Sequence, residues 1–366
     1  MKIVGLTAQA YQINLARPFL AAWDPAPRIS FAETIVTVET DEGVRGYGGG
    51  APVPDLDQLS DLLSGLDPTD TEQVFEICET VDFHGGRNWT VEVAVWDLLA
   101  RLAEVPLWRF LGGSRDRYPA YASTGERLTP ELRAARLQGW KEEGLAAAKI
   151  RFHHPDWKED LKTVTAAREA VGWEMALMVD ANQGWKMPGD LTPPWDVATA
   201  AECAAALSEL GIYWLEEPLP TSDLEGYATL REMGGIRIAA GEMVRSLAES
   251  RRLLEVVDVI QNDVVLAGGI TGCRRVAGWA AANGSVWSPH TWSTGMGLLA
   301  NLHAALAFST GEYLEVPFDP PGWPAEVRDF MLATPNQVID GSLVAPSGPG
   351  LGVEPDFRAL ERWRVG

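Results

Sequence analysis

The feature that most constrains this chain is a recurrence of form. From Tyr118 onward, eight short apolar runs are each followed by a stretch of helical length and amphipathic spacing. The runs are Tyr118–Ala122, Ala147–Ile150, Met175–Val179, Ile212–Leu215, Ile238–Ala240, Val257–Ile260, Ser285–Trp287 and Tyr313–Val316. A strand buried on both faces reads as apolar throughout, and the helix after it supplies the cover. Strand–helix units in series therefore predict a parallel α/β sheet. An open doubly wound sheet shares the alternation, but eight units at fairly even spacing favour closure into a (β/α) barrel of the TIM type.

Such a barrel takes roughly 250 residues, and the chain has 366. We read residues 1–115 as an α+β capping domain, 116–317 as the barrel, and 318–366, rich in Pro and Gly, as a tail packing back on the cap. Within the cap, Ile35–Thr40 is strand-like, Asp41–Gly43 is a turn, and Val44–Gly48 returns as a second strand. Helical spacing continues over Leu56–Leu63, Glu72–Val81 and Val91–Leu102, the last with its apolar residues on one side. Leu111-Gly112-Gly113 looks like the junction.

Composition excludes several classes. A formal charge of −21 repels nucleic acid and anionic membrane. No apolar run approaches the ~20 residues of a membrane span, and the first residues lack a signal-peptide layout. The three cysteines, Cys78, Cys203 and Cys273, lack metal-ligand spacing. We expect them reduced and buried, in a cytoplasmic protein.

The chemistry lies at the carboxyl ends of the runs. Lys149-Ile150-Arg151 ends the second and Asp180-Ala181-Asn182 the third. Glu216-Glu217-Pro218, Gly241-Glu242-Met243, Asn262-Asp263 and Ser288-Pro289-His290 end the next four, and Glu315 lies in the eighth. Barrel enzymes build their sites at this rim. Charges collect in loops anyway, but that gives no reason for them to recur at one strand-relative position. Asp180, Glu216 and Glu242 on neighbouring strands would repel one another without a cation between them. An all-oxygen set suits Mg²⁺, with Mn²⁺ as a substitute, better than zinc. Lys149 and Arg151 share a strand face and suit an anionic substrate, or else neutralise barrel acids such as Glu217. Asp263 beside His290 would fix the imidazole's tautomer and raise its pKa, making it a general base or acid. Gly268-Gly269-Ile270-Thr271-Gly272 lacks the Lys-Ser/Thr of a phosphate loop and reads as a tight strand-to-helix turn.

In order and spacing, Lys-x-Arg, Asp-x-Asn, Glu-Glu-Pro, Gly-Glu, Asp…Gly-Gly-Ile-Thr and His resemble the mandelate racemase group of the enolase superfamily. Val95-Trp96-Asp97-Leu98-Leu99 and Thr40–Gly48 resemble its pre-barrel helix and N-terminal hairpin, so the likeness covers essentially the whole chain. The resemblance implies Mg²⁺ on Asp180, Glu216 and Glu242, an Asp263–His290 catalytic dyad, and Lys149 on the substrate carboxylate. It implies that Glu315 donates a hydrogen bond to that carboxylate, which needs a neutral acid with a raised pKa, and that Asn182 lies near substrate or metal. Arg151 departs from the family's usual second lysine, and arginine is a poor general base.

The resemblance further implies proton abstraction next to the carboxylate of a small substrate, and a homo-oligomer. With one well-equipped face, dehydration of a sugar acid to a 2-keto-3-deoxy acid is the expectation. The rivals are a racemase or epimerase of a hydroxy acid or amino acid derivative and, more remotely, a non-catalytic anion-binding barrel. Substrate choice is expected from Leu20–Ile29, with Trp23 and Arg28, and from Gly48–Pro54. Trp185, Trp287 and Trp292 are candidate aromatic walls, and His153 and His154 lie near the mouth.

Overall fold

A computed structural model describes all residues, 1–366. The cap begins with an antiparallel meander of β1 (Ile3–Phe19), β2 (Arg28–Thr40) and β3 (Arg45–Gly50). Gly43, at φ 79°, makes the β2–β3 turn that the sequence signals. The long β1 escapes the sequence reading because its alternation is weak: Thr7, Gln9, Gln12 and Asn14 leave it without a consistent apolar face. Three helices come next, α1 (Leu56–Leu63), α2 (Thr71–His84) and α3 (Trp89–Leu102), then the single turn α4 (Leu107–Phe110).

Helix α3 is buried all round from Trp89 to Ala100, not on one side as its spacing suggests. It lies directly on β3, where a Cβ on Gly46 would come within 2.1 Å of the Ala94 carbonyl oxygen and one on Gly48 within 2.1 Å of Thr90's. Its two buried carboxylates are fully engaged. Asp97 accepts from the Tyr47 amide at 2.8 Å, the Leu351 amide at 2.5 Å and Arg101 Nε at 2.6 Å, joining cap, helix and tail. Glu92 accepts from the Ile270 and Thr271 amides at 2.8 and 3.0 Å. The glycine-rich turn thus offers its helix N-terminus to a protein carboxylate, the anion such a terminus favours.

The barrel strands are β4 (Arg117–Ser123), β5 (Ala147–Arg151), β6 (Ala176–Asp180), β7 (Trp214–Glu216), β8 (Arg237–Ala240), β9 (Val259–Ile260), β10 (Val286–Trp287) and β11 (Leu314–Pro317). They pair in parallel from β4 to β10, and β11 pairs with β4. Between β10 and β11 the link is by side chains: Ser288 Oγ donates to the Tyr313 carbonyl at 3.2 Å and Ser309 Oγ to the Trp287 carbonyl at 2.6 Å. The helices α5 (Pro130–Glu142), α6 (Trp157–Val171), α7 (Val197–Glu209), α8 (Leu224–Met233), α9 (Leu247–Leu254), α10 (Gly269–Asn283) and α11 (Gly295–Phe308) alternate with the strands. Tyr121, Ala147, Met178, Trp214, Ala239 and Val259, one from each of β4 to β9, form a separate apolar cluster inside the ring. Two residues further along their strands stand Ser123, Lys149, Asp180 and Glu216. Strand periodicity thus stacks a charged layer on an apolar floor.

The tail serves both bodies: Ser342–Val344 pairs with β4, and Arg364–Val365 with β1. His303 on α11 helps to hold it, accepting the Trp108 amide at Nδ1 (3.0 Å) and facing the Leu351 carbonyl with Nε2 (3.2 Å). Burial pushes its pKa down to about 4. Below pH 6.5 the unfolded chain binds a proton that the folded one refuses, so stability falls as pH drops toward 4. Between pH 7 and 5 this group should cost about 2 kcal/mol. In urea unfolding, His303→Gln should lose that part of the pH slope; an unchanged slope would refute the assignment.

Candidate active site

The ends of β6, β7 and β8 bring Asp180, Glu216 and Glu242 together, all buried, with one oxygen of each within 4.8 Å of the others. Two cations from β5 stand beside them. Lys149 Nζ lies 2.5 Å from Glu216 Oε1, 2.8 Å from Glu315 Oε1 and 3.8 Å from Asp180 Oδ2. Burial opposes its charge, but these carboxylates outweigh it and raise its pKa. Arg151 donates to Asp180 Oδ2 at 2.5 Å and Asn182 Oδ1 at 3.2 Å, and its NH2 group lies 3.3 Å from Glu315 Oε1. Neither cation is paired with Glu217; burial pushes the pKa of its carboxyl well up, and the carboxylates of Glu242, Asp180 and Glu216 push it the same way.

Arg151 is also clamped from above. Its guanidinium carbon lies 4.6 Å from the Trp23 ring centre and 5.2 Å from that of Trp292, within cation–π range. Trp23 comes from the β1–β2 loop of the cap and Trp292 from the loop after β10. The rings meet edge to face at 4.6 Å. Gly125 leaves the space for them: a Cβ there would strike Trp292 at 2.6 Å and Trp23 at 2.9 Å.

Across the mouth, His290 Nδ1 is 3.1 Å from Asp263 Oδ2. The other Asp263 oxygen accepts from Asn301 Nδ2 and the Val265 amide, both at 2.9 Å. His290 Nε2 faces Glu242 Oε2 at 3.3 Å. Burial lowers the imidazole's pKa, while Glu242, Glu315 and Asp263 raise it further, up to about 9. Asp263 is thus one of three carboxylates behind the shift.

Comparison with known proteins agrees with this geometry. Residues 6–112 match the N-terminal domain of mandelate racemase/muconate lactonizing enzymes, and residues 132–359 match the enolase C-terminal domain-like family. The chain belongs to the mandelate racemase/muconate lactonizing enzyme family of the enolase superfamily. It is 31% identical to the 3,6-anhydro-alpha-L-galactonate cycloisomerase of Streptomyces coelicolor, over 92% of this chain and 93% of that one. It is 29% identical to the L-talarate/galactarate dehydratase of Salmonella typhimurium, over 79% and 74%. The crystal structure of L-talarate dehydratase from Polaromonas sp., complexed with Mg and L-glucarate, superposes with a TM-score of 0.84 at 26% identity, covering 100% of this chain and 98% of that one. The family fold, an N-terminal cap on a TIM barrel, is the fold described above.

This family member departs from the sequence expectation at Glu315. The carboxylate accepts from Ser123 Oγ at 2.6 Å and the Thr291 amide at 2.8 Å. Burial pushes its pKa up, but Lys149, His290 and Arg151 pull it down to about 2. Where the resemblance implies a hydrogen-bond donor, Glu315 here is an acceptor, with Lys149 and Arg151 on one oxygen and the Thr291 amide on the other.

A cavity of about 380 Å³ is lined by Asn182 and Trp185, the partners of Arg151 and Glu242, but by none of the metal-binding acids, Lys149 or His290. Trp23, Asn182, Trp185, His153 and His154 line it; Arg28 and Trp292 do not. Arg28 is turned to Asp24 at 3.0 Å, and Trp292 packs among Phe19, Trp23 and Trp323. Trp287 is core, its indole N–H on the Asn262 carbonyl at 3.1 Å. Gly48–Pro54 is also missing from the wall, since Gly48 and Gly50 press against Thr90. Sequence reasoning missed Ser123, although it ends the first barrel strand at the same relative position as the rest of the ring. It also missed Asn301 and Arg87, for which no local pattern speaks. Arg87 reaches from the cap to the carbonyls of Met243 and Leu266, both at 2.9 Å.

The donors suit a hard divalent cation. All three are carboxylates, and Glu242 Oε2 is buried without a hydrogen-bond partner. Trp185 Nε1 donates to the other oxygen, Glu242 Oε1, at 2.6 Å, orienting the side chain as outer partners of metal ligands do.

Proposed function

We propose that this protein uses Mg²⁺, held by Asp180, Glu216 and Glu242, to remove the proton next to the carboxylate of a sugar acid, and that the product is the dehydrated 2-keto-3-deoxy acid. When bound, the cation stabilises negative charge developing on the substrate carboxylate oxygens. Lys149 adds a second positive charge at the same place. His290, oriented by Asp263, takes the proton or delivers one to the departing β-hydroxyl. Asn182 and Trp23 bound the substrate.

The observation that carries dehydration over racemisation is the clamp on Arg151. Racemisation calls for a proton-transfer group on each face. Here the second position holds a guanidinium that stays charged, wedged between two indoles and bonded to Asp180. That leaves one competent face. The dehydratase named among the relatives supports this reading. The Streptomyces coelicolor cycloisomerase keeps a second one open, since opening an anhydro ring by elimination also needs one base.

The test is a screen of purified protein with Mg²⁺ against sugar acids and anhydro-sugar acids, with colorimetric detection of 2-keto products. We expect turnover of a sugar acid, abolished by chelator and restored by Mg²⁺. Solvent deuterium entering recovered substrate with every oxygen retained would instead indicate a racemase or epimerase.

A further inference from the structure

We infer that Arg87, in the cap, is a positioning residue for the active site: its guanidinium fork clips the loop that carries Glu242 to the loop that carries Asp263. This rests on reading Glu242 as a metal ligand and His290 as the proton-transfer group, and it adds a cap residue to the control of both.

The two loops leave neighbouring strands and then run unpaired. The last backbone bond between them goes from the Gln261 amide to the Ala240 carbonyl at 3.0 Å, and beyond it no backbone hydrogen bond joins them. Glu242 sits in a turn that the Val244 amide closes on the Gly241 carbonyl at 3.4 Å. Asp263 opens a turn in which the Leu266 and Ala267 amides donate to its carbonyl at 3.0 and 2.8 Å. Arg87 takes one carbonyl from each turn: NH1 donates to that of Leu266 and NH2 to that of Met243, both at 2.9 Å. Inside the site the same loops meet again at His290, with Nδ1 3.1 Å from Asp263 Oδ2 and Nε2 3.3 Å from Glu242 Oε2. The imidazole can span both carboxylates only while the loops keep their separation.

Arg87 is itself firmly placed. It comes directly before Asn88, whose side chain donates to the Cys78 carbonyl of α2 at 3.1 Å, and before α3, which is buried all round. A second tie runs between the same parts: Arg245, two residues past Met243, donates to the Asp82 carbonyl at the end of α2 at 2.9 Å. Two carbonyls in fixed places call for two N–H donors in one plane, which a guanidinium has and an ammonium lacks. Burial lowers the pKa of Arg87 and Arg245 lowers it further, while Asp263, Asp82 and Glu242 act the other way. The same side chain thus stands as a positive charge near both acids that it positions.

The test compares Arg87→Lys and Arg87→Ala with the parent, using protein labelled with nitrogen-15 at histidine and Mg²⁺ alone as the probe. Five histidines give few imidazole signals, and His290→Asn and His303→Gln assign the two that matter. We expect both variants to move the His290 signal and leave that of His303 in place. Mg²⁺ binding in calorimetry should weaken about tenfold or more, as when a group that orients a metal ligand is lost. Lys keeps the charge and loses the fork, so parent-like behaviour in Arg87→Lys overturns the clip. An unmoved His290 signal with Mg²⁺ affinity within about threefold of the parent overturns it as well. So do equal shifts at His290 and His303, which would make Arg87 a general fastener of the cap. If Arg87→Ala does not fold, Arg87→Lys carries the comparison. A parent that binds no Mg²⁺ overturns the metal reading, and the His290 signal then decides the clip alone.

Discussion

His290→Asn should lower kcat by about 10²–10⁴-fold, the range for a lost general acid–base group, while Mg²⁺ and substrate affinity stay within about threefold. The asymmetry comes from the position of the side chain. His290 touches Asp263 and Glu242 but lies outside the acidic trio itself. Asn keeps a polar group facing Asp263, and Asn301 and the Val265 amide still hold that carboxylate. Stopped assays and calorimetry on one preparation give both numbers. Turnover retained within tenfold would move the base elsewhere. Parallel loss of Mg²⁺ binding would make the residue structural.

Lys149→Met should destabilise the chelator-treated protein by about 3–5 kcal/mol, the usual consequence of breaking a buried ion pair. Lys149 is fully buried and compensates Glu216 and Glu315 directly. Without it the two carboxylates keep neutral donors but only Arg151 and His290 as sources of positive charge, and Met fills the volume without supplying charge. Added Mg²⁺ should recover more stability in the variant than in the parent, because the acidic trio then has lost one of its cations. Urea unfolding with chelator and with Mg²⁺ measures both terms. A variant as stable as the parent in chelator would show that Lys149 does not neutralise the ring.

Much of the site was legible because its residues are covalently attached to readable strands. Asp180 and Glu216 end apolar runs, and Lys149 and Arg151 sit two apart on one strand, so periodicity alone predicts a shared face. The resemblance then supplied roles. What stayed illegible arrives from far along the chain. Ser123 reaches Glu315 across 192 residues, and Asn301 reaches Asp263 across 38. The cap loop was expected to choose substrate through both Trp23 and Arg28, yet Arg28 turned to its own neighbour, Asp24. A contact four residues away won a side chain that the pattern had assigned to the cavity.

The sequence by itself therefore determined the barrel and the rim on which its chemistry stands, because both are set by strand length, periodicity and the residue that ends each strand. Only the tertiary structure decided the direction in which the Glu315 pKa moves and the confinement of Arg151. The first is a Coulomb sum over Lys149, His290 and Arg151 in a buried space. The second needs indoles from the cap and from the loop after β10 to close on one guanidinium. Neither is a property of any one segment, since each exists only once the chain has brought separate segments together.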